Sequence, residues 1–307
     1  MSITNSVAAP YGLLLMYAMD MYTGLPEPRI IVTPPVDPRV TAAGWTIVAY
    51  VTGQDAILPP KGQLGGGDRV YYGFLAQNNT DPTQFVAVVR GTNGFVEWVE
   101  DAEFVPVPWP RDRTATVEQG FWGIYDSMTL VRPSGAPIGN KVADGVTQMV
   151  QGAKVMVIGH SLGSALATYL SLDLAKGPIG NRVSACLFAS PQTGDAALTT
   201  KYDATVNDYR VFNYILDLVP RVPLGLGYQT LPRTTVLQPS TAEASIKVDI
   251  LCNHHVISYV SMLDFEASQA TGVVVTNDDK QCAACILGPE TAGPTMAKLL
   301  ARLSGLI

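Results

Sequence analysis

A serine with glycines two positions away on either side, Gly159-His160-Ser161-Leu162-Gly163, lies between two stretches of opposite character. Before it, Lys154-Val155-Met156-Val157-Ile158 is short, apolar and β-branched, the pattern of a buried strand. After it, Ser164-Ala165-Leu166-Ala167-Thr168-Tyr169-Leu170 predicts a helix with small residues on the face toward the sheet. A bare G-x-S-x-G pattern arises by chance in about 0.1 of chains this long. The strand before it and the helix after it make it specific, because they are the setting of a nucleophile elbow. In such a turn the serine backbone is strained, the glycines leave room for close passage of backbone, and the helix N-terminus faces developing negative charge. The competing reading is an ordinary tight turn from strand to helix.

Further apolar runs predict strands over Trp45–Val51, Val70–Ala76, Phe85–Arg90, Val183–Ala189 and Tyr209–Ile215, besides 154–158. Helical patterns fall between them at Val117–Leu130, Ile138–Gln151, Gly163–Lys176 and Thr193–Val206. Alternation of this kind, with strands apolar on both faces, predicts an α/β fold with a mostly parallel central sheet covered by helices on both sides. Gly and Pro mark loops at Gly53–Gly67, Pro106–Pro110, Arg132–Gly139, Pro220–Pro232 and Gly288–Pro294. With no internal repeat and no dividing linker, residues 1–307 read as one domain. Residues 265–307 fit the alternation least well, although Met296–Leu306 has the pattern of a short amphipathic helix.

A serine hydroxyl is a weak nucleophile and needs a general base. The chain has three histidines, His160, His254 and His255. His160 adjoins Ser161 in the elbow, so its ring should point away from the hydroxyl; the base must come from His254 or His255. The base in turn needs a carboxylate to fix its tautomer and stabilise the imidazolium. In elbow-bearing folds the chain order is serine, acid, histidine. Between Ser161 and His254 stand Asp173, Asp195, Asp203, Asp208, Asp217, Asp249 and Glu243. Asp217 follows the strand 209–215 at the edge where the sheet would present it. Asp195, after another strand, is second.

Charge and composition narrow the classes. A net charge of −6 argues against nucleic acid, which requires concentrated Lys and Arg. The apolar run Val7–Tyr22 contains Asp20 and falls short of the ~20 residues of a spanning helix. It also lacks the basic leader and cleavage site of a signal peptide, so a buried first helix is expected, and export would need an absent leader or a leaderless route. Charged residues make up 15% against an ordinary value of about 25%, which fits a large core or an exposed apolar patch. Four cysteines are too few for a disulfide framework. Cys282 and Cys285 could join Cys252 and a histidine around zinc, but that would consume the base. A local or Cys252-linked disulfide, or free thiols, is the preferred reading.

Several ordered motifs resemble the class 3, fungal-type lipases over residues 70–265. They are Val88-Val89-Arg90-Gly91-Thr92, then Trp98 with Asp101, Gln119-Gly120-Phe121, the elbow, Ala189-Ser190-Pro191-Gln192-Thr193-Gly194, and Asn213 to Pro223. The resemblance implies an α/β-hydrolase fold and a Ser161–Asp217–histidine triad. Many family members place an aromatic residue five positions after the histidine; Tyr259 stands so relative to His254, which favours His254 over His255. The resemblance further implies an oxyanion hole at Thr92 and the backbone N–H of Leu162. It also places a lid helix over Asn93–Phe104, with Phe95, Val96, Trp98 and Val99 as its apolar face.

Together these readings predict a serine carboxylic ester hydrolase working through an acyl-enzyme, with no metal or organic cofactor. Its expected substrates are triacylglycerols or shorter acyl esters, met in part at a lipid–water interface, with phospholipids and feruloyl esters as alternatives. A lipase-like binding or signalling module without catalysis is the rival from another class, and an intact Ser, Asp and His set weighs against it. A peptidase or amidase on the same fold is the second rival.

Overall fold

The computed structural model describes residues 3–54, 67–92, 104–269 and 285–289. Strands β1 (Trp45–Gln54), β2 (Arg69–Asn78) and β3 (Gln84–Val89) form an antiparallel meander. A small antiparallel pair, β4 (Pro106–Pro108) and β5 (Thr116–Glu118), follows. Next come β6 (Thr129–Val131) and β7 (Pro137–Ile138), and then β8 (Lys154–His160), β9 (Val183–Phe188), β10 (Asp208–Tyr214) and β11 (Thr234–Leu237). The main sheet runs β11-β10-β9-β8-β3-β2-β1-β6-β7. From β3 to β11 every ladder is parallel, and from β3 outward to β7 every ladder is antiparallel. The parallel half carries the functional residues, because helical crossovers bring successive strands to the same edge.

Side chains alternate across the sheet and enter two separate cores. From β3, Phe85, Ala87 and Val89 face one side with Val155 and Val157 of β8, beneath Leu166, Tyr169 and Leu170 of the helix Leu162–Lys176. Val86, Val88 and Ile158 face the other side with Phe188 and Phe212, beneath the first helix, Asn5–Thr23, and the helix Val256–Leu263. These two helices lie close: a Cβ at Gly12 would come 2.5 Å from Val260 Cγ2. Burial on both sheet faces explains why the parallel strands read as continuous apolar runs. Among the described residues, no helix is long and apolar enough to cross a membrane.

Three expectations about elements need correction. The helix expected over Val117–Leu130 is instead β5, the helix Gln119–Ser127 and β6. Glu118 starts that helix by accepting the Phe121 N–H at 2.6 Å, and Met128 leaves it in an extended conformation. The loops expected at 106–110 and 132–139 contain β4 and β7, where proline concealed short edge strands. The stretch from 288 begins inside β13 (Ile286–Pro289), which pairs with β12 (Ala244–Ile246). Of the lid helix expected over Asn93–Phe104, residues 93–103, with Trp98 and Asp101, lie outside the described residues, as does the helix expected at Met296–Leu306.

Cys252 and Cys285 are joined by a disulfide with Cα atoms 5.1 Å apart. The bond ties the short helix Ile250–His254 to the β12–β13 pair. It also occupies two of the three sulfurs that the zinc site would have needed as thiolates. Cys186, on β9, is a buried free thiol whose pKa burial pushes well up.

Candidate active site

The elbow is built as its residue types demand. A Cβ at Gly159 would sit 2.3 Å from Gly163 O, and one at Gly163 would sit 2.2 Å from Val89 O. Both positions are backbone-to-backbone contacts that only glycine permits. Ser161 itself takes φ 61° and ψ −131°, a positive φ that side-chain-bearing residues rarely adopt. It occupies the N-cap position of the helix Leu162–Lys176, yet its side chain makes no capping hydrogen bond. An N-cap serine ordinarily gives its oxygen to the first-turn N–H groups. Here the oxygen is turned to His254, and the helix start is left open to another acceptor.

His254 Nε2 lies 2.8 Å from Ser161 Oγ, and His254 Nδ1 lies 2.9 Å from Asp217 Oδ2. All three side chains are buried, Ser161 at 1% and Asp217 at 2% exposure. Asp217 follows β10 and is fixed on both oxygens: Oδ1 accepts the Val219 N–H at 2.9 Å, and Oδ2 accepts the Tyr259 hydroxyl at 2.7 Å. Tyr259 O also accepts the Tyr214 N–H at 2.9 Å. Burial first, and then the charge of Asp217, raise the Tyr259 pKa well above its ordinary value, so the phenol stays a donor. The sequence marked Tyr259 only by its spacing from His254; its grip on the acid is visible only in the fold.

The other candidates resolve into structural roles. Asp195 accepts from Leu198 N at 2.9 Å and Thr116 N at 3.0 Å, capping the helix Ala196–Thr205. His255 caps the helix Val256–Leu263, with Nδ1 accepting the Ile257 N–H at 3.3 Å. The two adjacent histidines thus divide, one ending its helix toward the serine and the other starting the next.

Two residues that the sequence placed only within motifs border the elbow. Arg90 is 2% exposed. Its Nε donates to Tyr71 O and its Nη1 to Gly91 O, both at 2.7 Å, with the guanidinium 3.4 Å from the Tyr22 ring centroid. Gly91 C=O and Thr92 N–H belong to one planar peptide, so holding the carbonyl also aims the N–H. That strand end abuts the elbow, since a Cβ at Gly91 would lie 3.3 Å from Ser161 Cβ. His160 does point away from the Ser161 hydroxyl, and its Nε2 meets the backbone oxygen of His254 at 2.7 Å. The protein around the ring, and then the neighbouring His254, hold its pKa well below the usual histidine value.

Residues 86–226 match the family model for lipase (class 3). The secreted mono- and diacylglycerol lipase A of Penicillium cyclopium is 33% identical over 192 residues, 58% of this chain and 60% of that one. Over that stretch the chain is similar to the class 3 lipases. Phospholipase A1-II 7 of Oryza sativa subsp. indica is 28% identical over 234 residues, 67% of this chain and 53% of that protein. The Rhizomucor miehei lipase–propeptide complex shares the fold, with TM-score 0.54 and 20% identity over 83% of this chain and 77% of that one. The chain spans a little over half the length of the curated relatives it matches. The family match holds residues 86–89 of β3, the elbow and Asp217, while His254 and Tyr259 lie beyond its end.

The segments that carry Asp217 and His254 also expose aliphatic side chains. Leu218 follows Asp217 directly, with Leu224 and Leu226 on the same loop, and Ile250 and Leu251 precede His254. Asn253 Nδ2 donates to Leu216 O at 3.2 Å, which holds the two segments together.

Proposed function

We propose that this protein is a class 3 lipase that hydrolyses the acyl esters of glycerolipids through an acyl-enzyme, in one α/β-hydrolase domain. The observation that carries the reading is the continuous relay from Asp217 through His254 to Ser161, at 2.9 and 2.8 Å, with the serine exempt from capping its helix. In the proposed reaction Ser161 Oγ attacks the ester carbonyl while His254 Nε2 takes its proton. His254 returns that proton to the departing alcohol. Water then attacks the acyl carbon with His254 again as base, and the carboxylic acid leaves. Thr92 and Leu162 supply backbone N–H groups to the oxyanion, which stabilises the tetrahedral state more than the ground-state ester. No step requires a cofactor.

The substrate class follows from what the relatives have in common. One is named for mono- and diacylglycerols and another for phospholipids, and both substrates carry a fatty acyl ester on glycerol. The exposed Leu218, Leu224, Leu226, Ile250 and Leu251 fit a lipid surface or acyl chain. A panel of monoolein, diolein, triolein, a diacyl phosphatidylcholine, nitrophenyl butyrate and methyl ferulate tests the reading. Turnover of a glycerolipid that vanishes in Ser161→Ala supports it. No turnover of any ester would favour the non-catalytic binding module, and turnover of ferulate alone would replace the substrate class.

A further inference from the structure

We propose that His160 is a positioning residue for the base, holding His254 in place while the serine is acylated and cannot do so; this rests on the triad reading above. His160 Nε2 is 2.7 Å from the main-chain oxygen of His254. A carbonyl accepts and cannot donate, so the proton of the His160 ring sits on Nε2. The acceptor is a terminal carbonyl of the helix Ile250–His254, one of those that a helix end leaves without an internal partner. The His160 ring also lies against the His254 ring, with centroids 4.8 Å apart at 36°, and meets the Tyr259 ring edge-on at 6.1 Å. One residue of the elbow therefore grips both the backbone and the ring of the residue that must serve Ser161.

The free enzyme has a second link between elbow and base, the 2.8 Å contact of Ser161 Oγ with His254 Nε2. Acylation removes it. Once Oγ is an ester oxygen it carries no proton to donate, and Nε2 must turn to water. During deacylation that water gives a proton to Nε2 as its oxygen bonds to the acyl carbon. The tetrahedral intermediate then expels Ser161 Oγ, which takes the proton back. Throughout, the hydrogen bond from His160 does not involve the reacting atoms and persists. Its geometry is also independent of substrate, because both ends are fixed by the fold. A misplacement of about 1 Å in such a group costs on the order of 10²-fold in rate.

The substitutions His160→Phe and His160→Gln separate ring from donor. Phe keeps a ring of similar size and cannot donate; Gln restores an N–H without the ring. With nitrophenyl butyrate, His160→Phe should lower kcat by about 10- to 100-fold with KM changed less than about two-fold. Stopped-flow traces should show a burst near one equivalent of nitrophenol, because deacylation becomes the slow step. His160→Gln should recover most of kcat. An unchanged kcat in His160→Phe, or equal losses in both variants, would overturn the proposal, the former by showing that the ring suffices without its donor and the latter by showing that a restored N–H does not rescue the base. Should Phe fail to fold, ¹⁵N-histidine NMR of the unaltered protein decides: the Nε2–H tautomer of His160 must persist after the serine is blocked by an organophosphate, and an Nδ1–H tautomer refutes it. Ser161→Ala run in parallel tests the underlying reading: activity there sinks the triad, whereas an inactive Ser161→Ala beside an unimpaired His160→Phe sinks only the role of His160.

Discussion

Tyr259 and His254 donate to the same carboxylate oxygen of Asp217, at 2.7 and 2.9 Å. The acid is thus held from two sides of one atom, and the phenol bond fixes it whether or not the imidazole is in place. Tyr259→Phe removes that restraint and leaves the Tyr214 N–H without its buried acceptor. A lost hydrogen bond to a charged group costs about 1.5–3 kcal/mol, and an orphaned buried N–H about 1–3 kcal/mol. The variant should melt several degrees lower and lose about ten-fold in kcat; calorimetry and nitrophenyl ester kinetics measure both. Unchanged kcat with a lower melting temperature would limit Tyr259 to the fold.

Asp217→Asn and Asp195→Asn should fail in different ways. The first should fold and lose about 10⁴-fold in kcat, because an amide favours the wrong imidazole tautomer. The second weakens a helix cap and should cost about 1 kcal/mol of stability with kcat nearly intact. Denaturant curves beside steady-state kinetics separate the two, and an inactive, stable Asp195→Asn would reverse the assignment.

A nitrophenyl phosphate triester such as paraoxon should inactivate the protein and label one peptide, that containing Ser161. The elbow presents one activated hydroxyl, whereas buried neighbours such as Ser164 and Ser171 donate to main-chain oxygens. Peptide mass mapping reads the site. Loss of activity with Ser161 unmodified would exclude it as nucleophile.

His160 also gives stability a pH dependence of defined sign. Its pKa in the folded protein lies well below its ordinary value. As pH falls below about 6.5 the unfolded chain takes up a proton that the folded ring resists, and stability declines by up to about 1.4 kcal/mol per pH unit until the folded pKa is reached. His254, His255 and Tyr259 surround the ring, so the readout is a difference: urea midpoints between pH 7 and 5 should fall less steeply in His160→Gln than in the parent. Parallel curves would mean that His160 already ionises freely in the fold.

Reduction, or Cys252→Ser, opens a loop of 33 residues, worth about 4 kcal/mol in chain entropy. Cys252 lies two residues before His254, so activity should fall at temperatures where the protein remains folded. Equal activity with and without dithiothreitol, with free thiols verified by titration, would detach the bridge from the site.

What the sequence made legible was local. The elbow announced itself because strand, glycines and small-residue helix are consecutive, and the long strands because both faces are buried. β4 and β7 were hidden because proline and two- or three-residue lengths carry no period. Asp217 could be ranked first from order and position, but its choice over Asp195 depends on Thr116, 79 residues away in the chain. His254 and His255 were separable only through the spacing to Tyr259; in the fold they differ because one carbonyl meets His160 and the other ring caps a helix. Arg90 beneath Tyr22 links the first helix to the end of β3 over a distance no pattern reveals.

The open helix start behind Ser161 sets a limit on how this protein can be improved. A left-handed serine that declines to cap its own helix leaves the resting enzyme less settled at that point than a neutral turn would be. Ser161→Gly would relax the backbone and should raise the melting temperature while abolishing turnover. Variants selected for heat resistance alone would be drawn toward such silent, robust forms. Screening for heat resistance must therefore keep ester turnover as a simultaneous condition, or it will reward the loss of the reaction.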